Sequence, residues 1–270
     1  MSILDEILDH KRQEVAERRA VVPRPPARSS PARDFAAALH GEGVVIIAEF
    51  KRASPSRGAI STRWTPPQLA AIYESAGAAA LSVLTDERYF GGSLDDLREA
   101  RAACSLPVLR KDFVIDEWQL EETAAAGADA VLLIVAALGN KLDHMLRTAR
   151  DLGLAALVEA HDREEVRRAV DAGAGIVGIN NRDLRTFQVR IETTRELRPR
   201  IPADRTVVSE SGITAPDHVR ALAAMGVNAA LVGEALMVAD DPALLLNDLV
   251  VAGAMACRSP ARNPRRERKT

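Results

Sequence analysis

Short apolar runs alternate along most of the chain with longer segments whose apolar residues recur at helical spacing. Eight such runs occupy positions 44–50, 79–84, 107–110, 130–135, 155–159, 176–180, 206–209 and 229–233. Most read as continuous stretches of Val, Ile, Leu and Ala, the pattern of parallel strands buried on both faces. Cap residues open the helical segments between them. Thr65-Pro66-Pro67-Gln68 combines a Thr cap, a first-turn proline and a glutamine three residues on, and Ser93, Asp116, Asp162 and Thr214 are further caps. Gly77, Gly127, Gly153, Gly173 and Gly226 end them, as left-handed caps do. Eight strand-helix units predict a closed parallel α/β barrel, a (β/α)8 or TIM barrel, rather than an open sheet.

The N-terminus departs from this rhythm. Residues 2–20 place Ile3, Leu4, Ile7, Leu8 and Val15 on one side of an amphipathic helix that covers the barrel surface. Positions 22–31 carry four prolines and form a connector, followed by a short helix over 34–39. The expected division is an N-terminal helical extension with Pro-rich connector at 1–42, the barrel at 43–254, and a basic, solvated tail at 255–270.

In a barrel of this kind the chemistry sits at the C-terminal ends of the strands. There the first run offers Glu49 and Lys51, the third Lys111, the fifth Glu159, the sixth Asn180 and Arg182, and the seventh Glu210 and Ser211. The second and fourth offer Leu84, Thr85, Leu132 and Leu133. One isolated pair could be a fixed salt bridge, but so many polar groups at one mouth point to a ligand. Gly212 and Gly233 follow the seventh and eighth runs, where such barrels hold phosphate. The polar segment 52–65 reads as a loop over the site. Acid-base work by these lysines and glutamates calls for pKa values moved toward neutrality, lysines downward and glutamates upward. Arg182 suits a carboxylate, and Asn180 a hydroxyl or amide.

Composition narrows the reading further. A length of 270 residues suits one barrel with additions, and a net charge of −2 gives no nucleic-acid signal. Two cysteines make neither a disulfide framework nor a metal spacing, and they suit a reducing compartment. Acidic residues interrupt the N-terminal apolar pattern, so no secretory signal is expected. The longest apolar run, 130–139, is far below the roughly 20 residues of a membrane helix. The histidines are scattered, His161 being placed simply at the start of a helix, and no dinucleotide fingerprint follows the first strand. The expectation is a cytoplasmic enzyme acting through side chains alone, without metal, cofactor, nucleic acid or membrane, on a small molecule with a phosphate at one end and a carboxylate at the other.

The ordered runs IIAEFKRASPSRG, LSVLTDERYFGGS, VLRKDFVID, GADAVLLIVAAL, LVEAH, GINNRDL, VVSESGI and LVGEALM resemble the indole-3-glycerol phosphate synthase family over nearly the whole chain to about position 250. The resemblance implies a ribulose-phosphate-binding barrel. It also implies cofactor-free ring closure of 1-(2-carboxyphenylamino)-1-deoxyribulose 5-phosphate, with loss of carbon dioxide and water, in tryptophan biosynthesis. Carried over by motif, Lys111 is the general acid, Glu159 its acid-base partner, and Lys51 a substrate contact with a share in proton delivery. Glu49, Asn180, Glu210 and Ser211 hold the reacting groups, and Arg182 the carboxylate region. Ser54, Gly212, Gly233 and the backbone of Glu234 hold phosphate, with the Glu234 side chain pointing away. Phe113, Leu84, Leu132 and Leu133 wall the aromatic ring, unless they are ordinary core. A monomer or weak homodimer is expected. A Schiff-base aldolase acting on a sugar phosphate and a catalytically silent phosphate-binding barrel remain as alternatives.

Overall fold

The computed structural model describes residues 3–183 and 186–256. Leu184 of the GINNRDL run and the basic segment from Arg258 to Thr270 lie outside the described residues. Eight parallel strands form a closed barrel: β1 (Val45–Phe50), β2 (Ala80–Leu84), β3 (Val108–Lys111), β4 (Ala130–Ile134), β5 (Ala155–Ala160), β6 (Ile176–Asn180), β7 (Thr206–Glu210) and β8 (Ala229–Val232). They pair in chain order, and β8 closes on β1 with Val45 opposite Ala229. The apolar runs thus become the staves, with bounds shifted by a residue or two. β3 extends through Lys111 and β7 through Glu210, so both side chains are carried by the sheet itself. Among the described residues, no helix is long and apolar enough to cross a membrane.

Alternation along each strand divides the core in two. Inward residues such as Ile47, Leu109, Leu132, Leu157, Val208 and Leu231 fill the barrel, and Phe35 and Leu39 of the short helix region pack with them. Outward residues such as Ile46, Val83, Val131, Leu133, Val177 and Ala230 pack against the surrounding helices. Asp34 caps the short helix Phe35–Ala38 by accepting from Ala37 N. Ser93, Asp116 and Asp162 each cap their helices, and Gln68 accepts from Thr65 N. Thr214 does not cap. The helix Pro216–Ala224 begins a residue later, because Pro216 takes the first helical position and holds Ala215 extended before it.

The N-terminal helix Ile3–Val21 does more than cover a surface. Its Lys11 is fully buried, with Nζ 2.8 Å from Asp86 Oδ2, 3.0 Å from Asp112 Oδ1 and 2.8 Å from Glu14 Oε2. Asp112 also binds Arg110 Nη2 at 2.9 Å and Thr85 Oγ1 at 2.6 Å, while Arg110 Nη1 reaches Glu122 at 2.9 Å. Burial disfavours the charge on Asp112, but Lys11 and Arg110 outweigh it and hold this carboxyl well below the usual carboxylate range. Arg110 and Lys111 are neighbours on β3 with opposite directions: the guanidinium enters this helix-side network, and the ammonium enters the mouth. The last helix, Pro242–Ala256, packs on the outside of β1 and continues two residues past the expected barrel boundary at 254.

Candidate active site

The strand ends surround a cavity of about 260 Å³. Two lysines and three glutamates occupy its floor. Lys51 Nζ lies 3.0 Å from Glu49 Oε1, whose other oxygen accepts from Ser82 Oγ at 3.3 Å. Lys111 Nζ stands 3.3 Å from both Glu159 Oε2 and Glu210 Oε2. Small residues make room for this density of charge. A Cβ on Gly178 would collide with Glu210 Oε1, and one on Gly233 would collide with Glu49 Oε1. Gly233 therefore serves the carboxylate as well as the loop after β8.

The electrostatics depart from the expected convergence on neutrality. Burial works against the charge on Lys111, but Glu159, Glu210 and Glu49 outweigh it and raise its pKa above the ordinary lysine value. Burial likewise pushes Glu159 upward, yet Lys111, His161 and Asn180 prevail and lower it. Only Glu210 moves as expected. Burial, aided by repulsion from Glu159 and Glu49 and opposed by Lys111, pushes it up to about 8. One of the three carboxyls is thus the neutral acid of the set near pH 7, and Lys111 is a firmly held ammonium.

Asn180 Oδ1 accepts from Arg182 N at 3.0 Å and Ser211 Oγ at 2.9 Å, linking the ends of β6 and β7. Ser211 has a left-handed backbone, φ 68°, that a serine adopts only under constraint. The constraint comes from buried Asn181, whose amide donates to Ser211 O and Ser209 Oγ, each at 3.0 Å. Asn181 follows a candidate residue in sequence, and only the folded loop shows its side chain turned into support. His161, which the sequence places simply at the start of a helix, also turns toward the site. Its Nε2 lies 3.3 Å from Glu159 Oε1, and its Nδ1 lies 3.0 Å from Glu165 Oε2.

Leu84, Phe113 and Leu132 line the cavity, and Phe90 stands by Phe113 with ring centroids 6.1 Å apart. Leu133 does not belong there. It points outward into the helix-facing core while Ile134 takes the place on the cavity wall, since adjacent strand residues cannot share a face. Leu133→Ala is accordingly expected to cost about 2–5 kcal/mol in urea unfolding while leaving KM unchanged. Ile3, Leu4 and Ile7 of the N-terminal helix complete the apolar wall.

Ser54, Gly212, Gly233 and Glu234 lie together around the same cavity. Ser54 belongs to a small ribbon in which Ala53–Ser54 pairs antiparallel with Gly58–Ala59. The Glu234 carboxylate does not turn away from the mouth. It lies 3.2 Å from Arg57 Nη1 and 3.6 Å from Arg182 Nη2, because two guanidinium groups converge where it emerges. The cavity therefore has a charged floor, an apolar side and a rim with arginines, dimensions and chemistry suited to a small anionic molecule with a flat ring.

A solved structure of thiamine phosphate pyrophosphorylase from Pyrococcus furiosus has a TM-score of 0.59 at 17% identity, covering 80% of this chain and 97% of its own, a likeness of fold. Sequence relatives are nearer. Indole-3-glycerol phosphate synthase 1 of Streptomyces coelicolor is 49% identical over 94% of this chain and 96% of its own. The indole-3-glycerol phosphate synthase of Mycolicibacterium vanbaalenii is 46% identical over 97% of this chain and 98% of its own. The family model described as indole-3-glycerol phosphate synthase matches residues 4–249, a span that includes every strand of the barrel and every charged group named at its mouth, and the chain belongs to that family.

Proposed function

We propose that this mouth closes the pyrrole ring of 1-(2-carboxyphenylamino)-1-deoxyribulose 5-phosphate, releasing carbon dioxide and water as a cofactor-independent carboxy-lyase of tryptophan biosynthesis. The observation that carries the reading is the Lys111 ammonium held 3.3 Å from both Glu159 and Glu210 in a cavity with an apolar side. Lys111 donates a proton to the substrate carbonyl oxygen as the ring carbon bearing the carboxylate attacks the carbonyl carbon. Breaking the bond to the carboxyl carbon returns electrons to the ring and expels carbon dioxide. Glu159 then removes the proton whose loss forms the indole double bond, while Lys51, or Lys111 once it has regained a proton, protonates the departing hydroxyl.

The other groups hold the substrate. Leu84, Phe113, Leu132 and Ile134 flank its ring, and Arg182 faces its carboxylate region. Glu49, Asn180, Glu210 and Ser211 orient its hydroxyls and amine. Ser54 and the backbone at Gly212, Gly233 and Glu234 receive the phosphate, with Glu234 exchanging its two arginine partners for the incoming anion. We read residues 1–42 as a helical extension of a barrel spanning 43–254, in a protein that acts as a monomer or weak dimer. A phosphorylated intermediate does not cross membranes unaided, which supports work in the cytoplasm.

Purified protein incubated with this substrate is expected to give rising indole fluorescence; a flat trace would overturn the reading. The Schiff-base alternative needs a neutral amine. The raised pKa of Lys111 opposes that, so borohydride with a sugar phosphate is expected to leave the protein mass unchanged.

A further inference from the structure

Loss of carbon dioxide and water from a substrate with an ionised carboxylate consumes one proton per turnover: carboxylate substrate plus H⁺ gives product, carbon dioxide and water. This proton has to reach a set of buried groups. Glu159 and Glu210 are almost wholly inaccessible, and the site floor is shielded by the barrel. Beside Glu159, however, a line of titratable groups leads outward. Glu159 Oε2 faces Lys111, while its other oxygen, Oε1, lies 3.3 Å from His161 Nε2. That nitrogen is buried and has no well-aligned hydrogen bond. On the far side of the ring, Nδ1 meets Glu165 Oε2 at 3.0 Å, and the same oxygen accepts from His161 N at 2.8 Å, fixing the ring from both sides. Glu165 lies in the first turn of the helix Arg163–Asp171, and its side chain reaches solvent.

We propose that His161 and Glu165 form a proton-entry path to Glu159, an inference that rests on the reaction described above. The Nε2–H bond of the imidazolium breaks as an O–H bond forms at Glu159 Oε1, leaving a neutral imidazole, and Glu159 passes a proton from Oε2 to the Lys111 amine left neutral by its donation, returning to the carboxylate. A proton collected from solvent at the Glu165 carboxylate recharges the ring, so one proton enters and none accumulates. Burial opposes the charge on His161, but Glu159 and Glu165 outweigh it and move its pKa up to about 10, so the ring is loaded at neutral pH. His161 acts on the substrate only through Glu159.

The test uses the full chain and the fluorescence assay. His161→Ala is expected to lower kcat by about 10- to 100-fold with KM within about twofold. Added imidazole is expected to restore kcat in proportion to its concentration while leaving wild type unchanged. A rate within twofold of wild type overturns the path. So does a loss that imidazole cannot reverse in a variant that melts like wild type. Should His161→Ala fail to fold, Glu165→Gln, which keeps an acceptor for His161 N, carries the test: kcat falls and rises again with acidic buffer concentration, and an unchanged kcat overturns the path. Glu159→Gln separates the two readings. An inactive Glu159→Gln beside a fully active His161→Ala rejects the relay alone, whereas a fully active Glu159→Gln rejects the assigned roles at the mouth.

Discussion

Lys111→Ala is expected to abolish ring closure, with kcat falling by about 10³-fold or more, in line with the loss of a general acid, and substrate binding largely intact. The substitution removes the cation that stands 3.3 Å from both Glu159 and Glu210. The carbonyl oxygen then loses its assigned donor, and the remaining carboxyls lose the cation between them. Glu159, kept ionised mainly by Lys111, would move up in pKa and lose its fitness as a base. Binding survives because the ring slot, Arg182 and the phosphate groups are separate from this lysine. Steady-state fluorescence gives kcat and KM, and titration of a substrate analogue gives affinity. Turnover near the wild-type rate would refute the assignment to Lys111.

The second large effect concerns stability. Lys11→Met fills the same space but leaves Asp86 and Asp112 facing each other, buried and short of their cation. Breaking a buried ion pair from one side costs about 3–5 kcal/mol, far more than a surface salt bridge contributes. Urea unfolding should show a midpoint shift of that size, and one below about 1 kcal/mol would mean that water reaches the cluster. Activity should fall as well, since Asp112 adjoins Lys111 and anchors the end of β3. The pH dependence has a definite sign. Asp112 is depressed in the folded state, so its contribution is fully present above the ordinary carboxylate pKa and is lost as pH falls below it. Wild type should therefore lose stability on its acid limb, and Lys11→Met should lose less there.

Much of this architecture was legible because it rests on local pattern. Eight apolar runs, each short, capped and followed by a helical segment, leave few alternatives to a parallel barrel. Once a barrel is expected, chain position alone brings Glu49, Lys111, Glu159, Asn180 and Glu210 to one end. Leu132 and Leu133 show where that reasoning needs care. Alternation forbids both from facing the cavity, but only the register of β4 against β5, with Ile134 beside Glu159, decides which does.

What the chain determined by itself is the set of strands, their order and the identity of the charged groups at their ends, because hydrophobic period and strand polarity are properties of neighbouring residues. The tertiary structure alone decided how those charges act. Lysine in the first helix looks like any solvated charge until three carboxylates close around Lys11. A histidine at a helix start looks incidental until the turn of that helix lays His161 between Glu159 and Glu165. The upward shift of Lys111 and the contrary shifts of Glu159 and Glu210 depend on how many opposite charges lie within a few ångströms in a dry interior. Those distances are set by strands far apart in sequence, so no local pattern contains them.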